Sequence, residues 1–172
     1  MNVGELVRIV KLDRLPAAPL TIEAEAAERA ALAKRFGLPD LHALRAEVTL
    51  TRDGDTISAR GRLTARFEQR CAIANEPFAN KLDEEIAIRF VPAIAPAPED
   101  EAIEFASGDF DEVEYDGASI DLGEALAESF GLALDPYVTG PDAEPVRRAA
   151  GIVDEDAPSG PFAALAALKP KS

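Results

Sequence analysis

From Ala43 to Arg52 the chain alternates strictly, with Leu44, Ala46, Val48 and Leu50 on one side and Arg45, Glu47, Thr49 and Thr51 on the other. A period of two predicts a strand with one buried face. Asp53-Gly54 then reads as a hairpin turn. The return strand alternates as well, placing Ile57, Ala59, Gly61, Leu63, Ala65 and Phe67 on the apolar face. A two-residue loop centred on Asp53-Gly54 sets Leu50 opposite Ile57, Val48 opposite Ala59 and Leu44 opposite Leu63. On the other face that register puts Glu47 opposite Arg60 and Arg45 beside Arg62. A third strand follows from Lys81 to Val91, with Leu82, Ile86, Ile88 and Phe90 inward.

The flanks are less regular. Val3 to Leu15 reads as a strand carrying Leu6, Val7, Ile9 and Val10, ended by Pro16 and Pro19. Thr21 is placed as the N-cap of a helix to Phe36, with Glu23 and Glu25 near its start, Lys34 and Arg35 in its last turn and Gly37 as its stop. Asp121 and Glu124 have capping-box spacing before Leu122, Leu126 and Phe130, one turn apart, and that helix ends ahead of Asp135-Pro136. The expected fold is α+β: an antiparallel meander, open or partly closed, with the N-terminal strand added and two helices packed on one side. It forms a single domain over residues 1–139. Residues 140–172, punctuated by Pro and Gly, read as a flexible tail with a short apolar motif at 161–169.

Charge changes this picture at one place. Pro92 to Asp116 contains nine acids and no Lys or Arg, in a chain whose net charge is −14. The stretch is too polar to pack and too long for an ordinary connection, so it reads as a mobile loop. A field of that sign repels nucleic acid and attracts basic partners. Against it, Arg60, Arg62, Arg66 and Arg70 share the solvent face of the return strand, and Arg45 adds a fifth guanidinium beside them. Such a row suits RNA phosphates. The pattern alone slightly favours a solvated face whose arginines pair with Glu47, Glu68 and acids of the next strand, because cross-strand ion pairs are common and weak. No aromatic residues interleave with it to stack bases.

Other chemistry is sparse. Cys71 and His42 are each the only residue of their type. One thiol allows no internal disulfide, and the pair is too few for a four-ligand zinc site. Cys71 reads as a small buried hydrophobe and His42 as a surface or packing residue. The acidic stretch lacks the spacing of a calcium loop. No phosphate-binding glycine loop, nucleophile elbow or acid–base pair is present, so the expectation is a protein without catalytic residues, cofactor, metal or small-molecule substrate. The charged N-terminus does not read as a signal peptide, and no apolar run approaches the roughly 20 residues of a membrane span. The expected location is the cytoplasm, with no membrane partner.

Three pieces of sequence carry a resemblance. They are Gln69-Arg70-Cys71 followed by Pro77-Phe78; Ile120-Asp121-Leu122-Gly123-Glu124 leading to Ala133-Leu134-Asp135-Pro136; and Pro161-Phe162 through Leu165, Leu168 and Lys169. In this order, with an acidic stretch between the first two, the chain resembles the YceD family, which is linked to accumulation of large-subunit ribosomal RNA. Many members look like C-x-x-C at the first piece. Here Glu68 stands at the earlier position and two extra residues precede Pro77-Phe78. The resemblance implies a non-catalytic role in synthesis, processing or stability of that RNA. Two kinds of contact are then open. A basic ribosomal protein or assembly factor would meet Glu99, Asp100, Glu101, Glu104, Asp109, Asp111, Glu112 and Glu114, with Phe162, Leu165 and Leu168 as a docking motif. Ribosomal RNA itself would meet Arg45, Arg60, Arg62, Arg66 and Arg70.

Overall fold

A computed structural model of the chain describes residues 5–93 and 111–151. Its centre is the expected hairpin, built of β3 (Asp40–Asp53) and β4 (Thr56–Arg70). The observed register pairs Asp53 with Thr56, Leu50 with Ala59, Val48 with Gly61 and Ala46 with Leu63. It is displaced by two residues from the one the turn motif suggests. The loop is Gly54-Asp55, with Gly54 at φ 61° and no positive φ at Asp55. That is the pattern of a type II′ turn, in which only the first central residue needs a positive φ and glycine supplies it. A turn centred on Asp53-Gly54 would have forced Asp53 into the same region. Because the displacement is even, the apolar face is unchanged. On the other face, Glu47 now lies opposite Arg62, Thr49 opposite Arg60 and Thr64 opposite Arg45.

Further strands extend the hairpin on both sides into an open, five-stranded sheet ordered β2-β3-β4-β5-β6. Beyond β4 lies β5 (Pro77–Pro92), the expected third strand, and outside it β6 (Asp111–Tyr115), which runs parallel to β5. β6 falls inside the stretch expected to be loop. Val113 and Tyr115 explain this, because their alternation with Glu112 and Glu114 turns two apolar side chains onto the core. At the opposite edge is β2 (Leu20–Glu23), antiparallel to β3, where the sequence suggested the first turn of a helix. Ile22 is buried there and Thr21 and Glu23 are exposed, so a short alternating run outweighs the capping potential of Thr21. Helix α1 (Ala26–Phe36) starts four residues later than a Thr21 cap would place it. Glu25 and Glu28 close a reciprocal capping box, and Gly37 at φ 65° ends the helix.

The N-terminal strand does not join this sheet. β1 (Ile9–Lys11) pairs with β7 (Ser119–Asp121) in a separate two-stranded sheet, and Leu12–Arg14 form a 3-10 turn. Helix α2 (Leu122–Ala133) follows β7 directly. Asp121 Oδ1 accepts from the backbone N–H groups of Gly123 (3.1 Å) and Glu124 (3.2 Å), capping α2, and from that of Arg8 (3.0 Å). The Leu122 N–H donates to the Arg8 carbonyl at 3.0 Å. One carboxylate therefore starts the helix and anchors the incoming strand, which is why β1 lies here and not along the meander.

The core lies between the sheet and these two helices. It is built from the inward residues of β3, β4 and β5 together with Leu32, Leu122, Leu126 and Phe130. Phe130 meets Phe36 and Phe67 edge-on, with ring centroids 5.6 Å apart in each case. Contacts divide the described residues into two compact units, 5–69 with 79–93 and 111–135, and 70–78 with 136–151. The second contains a helix not expected in the tail, α3 (Ala143–Ala149).

Candidate functional site

The uncovered sheet face carries the arginines, and its geometry sorts them. Arg45 donates to Glu23 Oε1 at 3.0 Å and to Glu47 Oε1 at 2.6 Å. Arg62 holds both carboxylate oxygens of Asp83, at 2.5 and 2.9 Å. These hydrogen bonds, to Glu47 and to Asp83 first, raise the proton affinity of Arg45 and Arg62, and Arg62 lowers that of Asp83. Exposed pairs of this kind add little stability, but they neutralise the charge a phosphate would seek. Arg60 lines the acidic concavity at the end of α2. Arg66 makes no ion pair among the described residues. Arg70 belongs to the second unit, where it donates to the Asn75 carbonyl at 3.1 Å.

Around the end of α2 the surface is acidic and hollow. Glu84 and Glu85 of β5, Asp111 of β6, and Ser129, Leu132 and Ala133 of α2 border a concavity of about 770 Å³. A smaller hollow of about 210 Å³ adjoins it across Asp111, Ser129 and Leu132, and adds Glu112 and Glu128. Leu132 is 79% exposed between them. The helix explains this: Leu122, Leu126 and Phe130 define the buried stripe, and a residue two positions past Phe130 lies about 200° around the axis. Glu84 has the same parity as Leu82, Ile86 and Ile88, so it stands in an inward register yet is solvent exposed. Leu132, Glu84, Glu85 and Glu128 were not singled out from sequence. Two departures could have found them: a leucine off the helical stripe and an acid interrupting the apolar side of a strand.

Of the acids expected to meet a basic partner, Asp111, Glu112 and Glu114 are exposed on β6, and Glu112 also accepts from Arg89 at 3.3 Å. Glu99, Asp100, Glu101, Glu104 and Asp109 lie outside the described residues, as do Phe162, Leu165 and Leu168.

The sequence pieces that carry the family resemblance have structural roles. Gln69, almost fully buried, donates through Nε2 to the Asp135 carbonyl and accepts from Asn80 Nδ2 at 3.2 Å, joining the end of β4 to the second residue past α2. Gly123 lies so close to the segment before β1 that a Cβ would stand 2.4 Å from the Leu6 carbonyl oxygen. Cys71 is buried, with 3% of its surface exposed. Its Sγ accepts from the Ala74 N–H at 3.3 Å, and Asn75 takes a left-handed φ of 56° so that the loop turns back on the thiol. The N–H groups of Ala74, then Gly140 and Ile73, favour the thiolate and lower its pKa, while burial opposes them. Among the described residues no three His, Cys, Asp or Glu side chains are grouped to hold a metal ion, and no helix is long and apolar enough to cross a membrane.

Neither the curated proteins nor the solved structures yield a match to this chain. A family does match: residues 59–169 correspond to Large ribosomal RNA subunit accumulation protein YceD. That stretch runs from near the start of β4 through β5, β6, β7, α2 and α3, and it contains Gln69, Cys71, Asp121, Gly123 and the acidic hollow together. The chain belongs to the YceD family, whose name ties it to accumulation of the large ribosomal RNA subunit.

Proposed function

We propose that this protein supports large-subunit ribosomal RNA accumulation without catalysis, by holding a basic ribosomal protein or assembly factor against the acidic concavity at the end of α2. The observation that carries the reading is Leu132, 79% exposed, which lines two adjoining hollows with Glu84, Glu85, Asp111, Glu112 and Glu128, and with Arg60 as the one cation among the described lining residues. An exposed leucine sharing its hollows with five acids suits a cationic amphipathic segment: the apolar side chain gives an anchor and the acids attract and orient it. The net charge of −14 acts in the same direction at long range. The acidic stretch between β5 and β6 adds to that field through its composition. Ion pairing of Arg45 and Arg62 weakens the competing idea of a five-arginine RNA platform.

The test is a tagged pull-down from cells, with ribonuclease treatment and mass spectrometry, repeated with Leu132→Ser and with the triple variant Glu84→Gln, Glu85→Gln, Asp111→Asn. A basic ribosomal protein or assembly factor is expected to survive ribonuclease and to be depleted in both variants. Its retention by both variants, or its loss with the RNA, would overturn the assignment.

A further inference from the structure

On the uncovered face, at the end of the sheet where β3 begins, β3, β4 and β5 enclose a second concavity of about 500 Å³, lined by His42, Arg66, Phe67, Ala79, Asn80 and Lys81. Its volume falls within the range of small-ligand sites. No carboxylate is among the lining residues. Arg66 and Lys81 are exposed, and neither side chain has an ion-pair partner among the described residues, although Arg45 and Arg62 on the same face are both held by acids. Two cations thus line one small hollow in a chain of net charge −14, with Asp40 and Glu68 beside His42 and Asp83 within electrostatic reach of Lys81.

The backbone aims a ring at the same hollow. β3 pairs Leu41 with Phe67 and Ala43 with Arg66, so His42 is the extra residue of a β-bulge. Bulges re-aim a side chain, and they cluster beside functional sites. His42 Nδ1 lies 3.4 Å from Asp40 and Nε2 lies 3.6 Å from Glu68, which restrains the ring from both sides. Asn80 is fixed too. Its Nδ2 donates to Gln69, and its Oδ1 accepts from the Lys81 N–H at 2.8 Å. The wall is therefore apolar and preorganised, with a planar ring and two cations at its opening.

We infer that this hollow binds one unpaired nucleotide of a single-stranded RNA. The phosphate meets the Arg66 guanidinium and the Lys81 ammonium, and the base lies against Ala79 and the His42 ring, while the Phe67 ring stays in the core against Phe130. Unstacked bases are read in this way on single strands, whereas a duplex keeps its bases stacked and paired. This site is separate from the acidic one, and the inference does not rest on the protein-binding reading.

The experiment titrates the full chain with a short oligouridylate and follows backbone amides by NMR. Parallel titrations use uridine monophosphate, inorganic phosphate and an RNA duplex, and variants Arg66→Ala, Lys81→Ala and Arg45→Ala. Shifts are expected at residues 42, 66, 67 and 79–81, with about tenfold weaker binding in either of the first two variants and none of that loss in Arg45→Ala. Two phosphate-facing cations on a single strand set a salt slope of roughly −1.4 in log K against log salt, halved in each single variant. Binding unchanged by Arg66→Ala and Lys81→Ala, or equal binding of the duplex, would overturn the site. Mononucleotide or phosphate binding as tight as the oligonucleotide would assign the hollow to a free small anion and overturn the RNA reading. The amide spectra report whether each variant is folded.

Discussion

At Gly61 the backbone of β3 comes so close that a Cβ would stand 1.9 Å from the Glu47 carbonyl oxygen and 2.8 Å from its carbon. Neither atom belongs to a flexible side chain, so the strand itself would have to move. Gly61→Ala is expected to destabilise by roughly 1–3 kcal/mol, measured by urea unfolding, and to broaden amides of β3 and β4 around residues 47 and 61. Gly54→Asn is the contrasting case: nothing lies within 4 Å of a Cβ there, so the cost is backbone strain alone at the glycine position of the type II′ turn, and about 1 kcal/mol is expected. A second residue acts through its charge. Arg8 donates to Glu28 Oε1 at 2.6 Å and Oε2 at 2.9 Å, and to the Glu23 carbonyl at 3.0 Å. The bond from Arg8 is the leading reason that the Glu28 carboxyl is held below its ordinary value of 4.5. A depressed folded pKa means stabilisation that is present above the unfolded value and lost as pH falls through the folded one. Glu28→Gln is therefore expected to cost about 1 kcal/mol at neutral pH, a figure reduced for the partial exposure of both partners. The deficit should shrink as pH drops below 4.5, which urea unfolding across pH will read. A constant deficit would assign the effect to packing.

At the scale of elements, Asp121 is the most connected point of the fold, since one carboxylate oxygen caps α2 and accepts from Arg8. Asp121→Ala is expected to cost about 1–2 kcal/mol for the cap, with more for the orphaned Arg8 N–H. Hydrogen exchange should accelerate in β1 and the first turn of α2 while β3 and β4 stay protected; uniform acceleration would make the effect global. Elements whose partners are near in sequence were legible. Alternation identified β3 and β4, and the Asp121 spacing identified the start of α2. The hairpin register was displaced by two because the turn motif alone did not say which loop position the glycine fills. Elements with distant partners were misassigned. β1 pairs with β7, more than a hundred residues on, and no local pattern names that partner. β2 was hidden by Thr21, whose capping chemistry competes with the short alternation of Leu20 and Ile22. The arginine row was visible as a row, but Asp83, which holds Arg62, came from a strand whose register sequence does not fix. Leu132 and Glu84 each break the periodic pattern of their own element, so no stripe marks them.

For the whole molecule, the division of charge sets a testable independence. The acidic concavity is bordered by residues of β4, β5, β6 and α2, and the cationic one by different residues of β3, β4 and β5; no residue lines both. If each acts only through its own groups, the coupling between them is electrostatic. Removing the three acids Glu84, Glu85 and Asp111 makes the protein less negative and slightly favours an approaching RNA. Removing Arg66 and Lys81 makes it more negative and slightly favours an approaching basic protein. The triple acidic variant is therefore expected to lose the basic partner while binding oligouridylate as well as or better than the parent. The Arg66→Ala, Lys81→Ala double variant is expected to show the reverse pattern, and the residual gains should vanish at high salt as screening removes the long-range part. Titration calorimetry with each ligand in turn, at low and high salt, gives all four comparisons. Loss of both ligands in either variant, with the fold intact by amide spectra, would mean that the concavities serve one continuous interface. A strict crossing of effects would instead establish a protein that meets a basic chain through one end of its sheet and single-stranded RNA through the other.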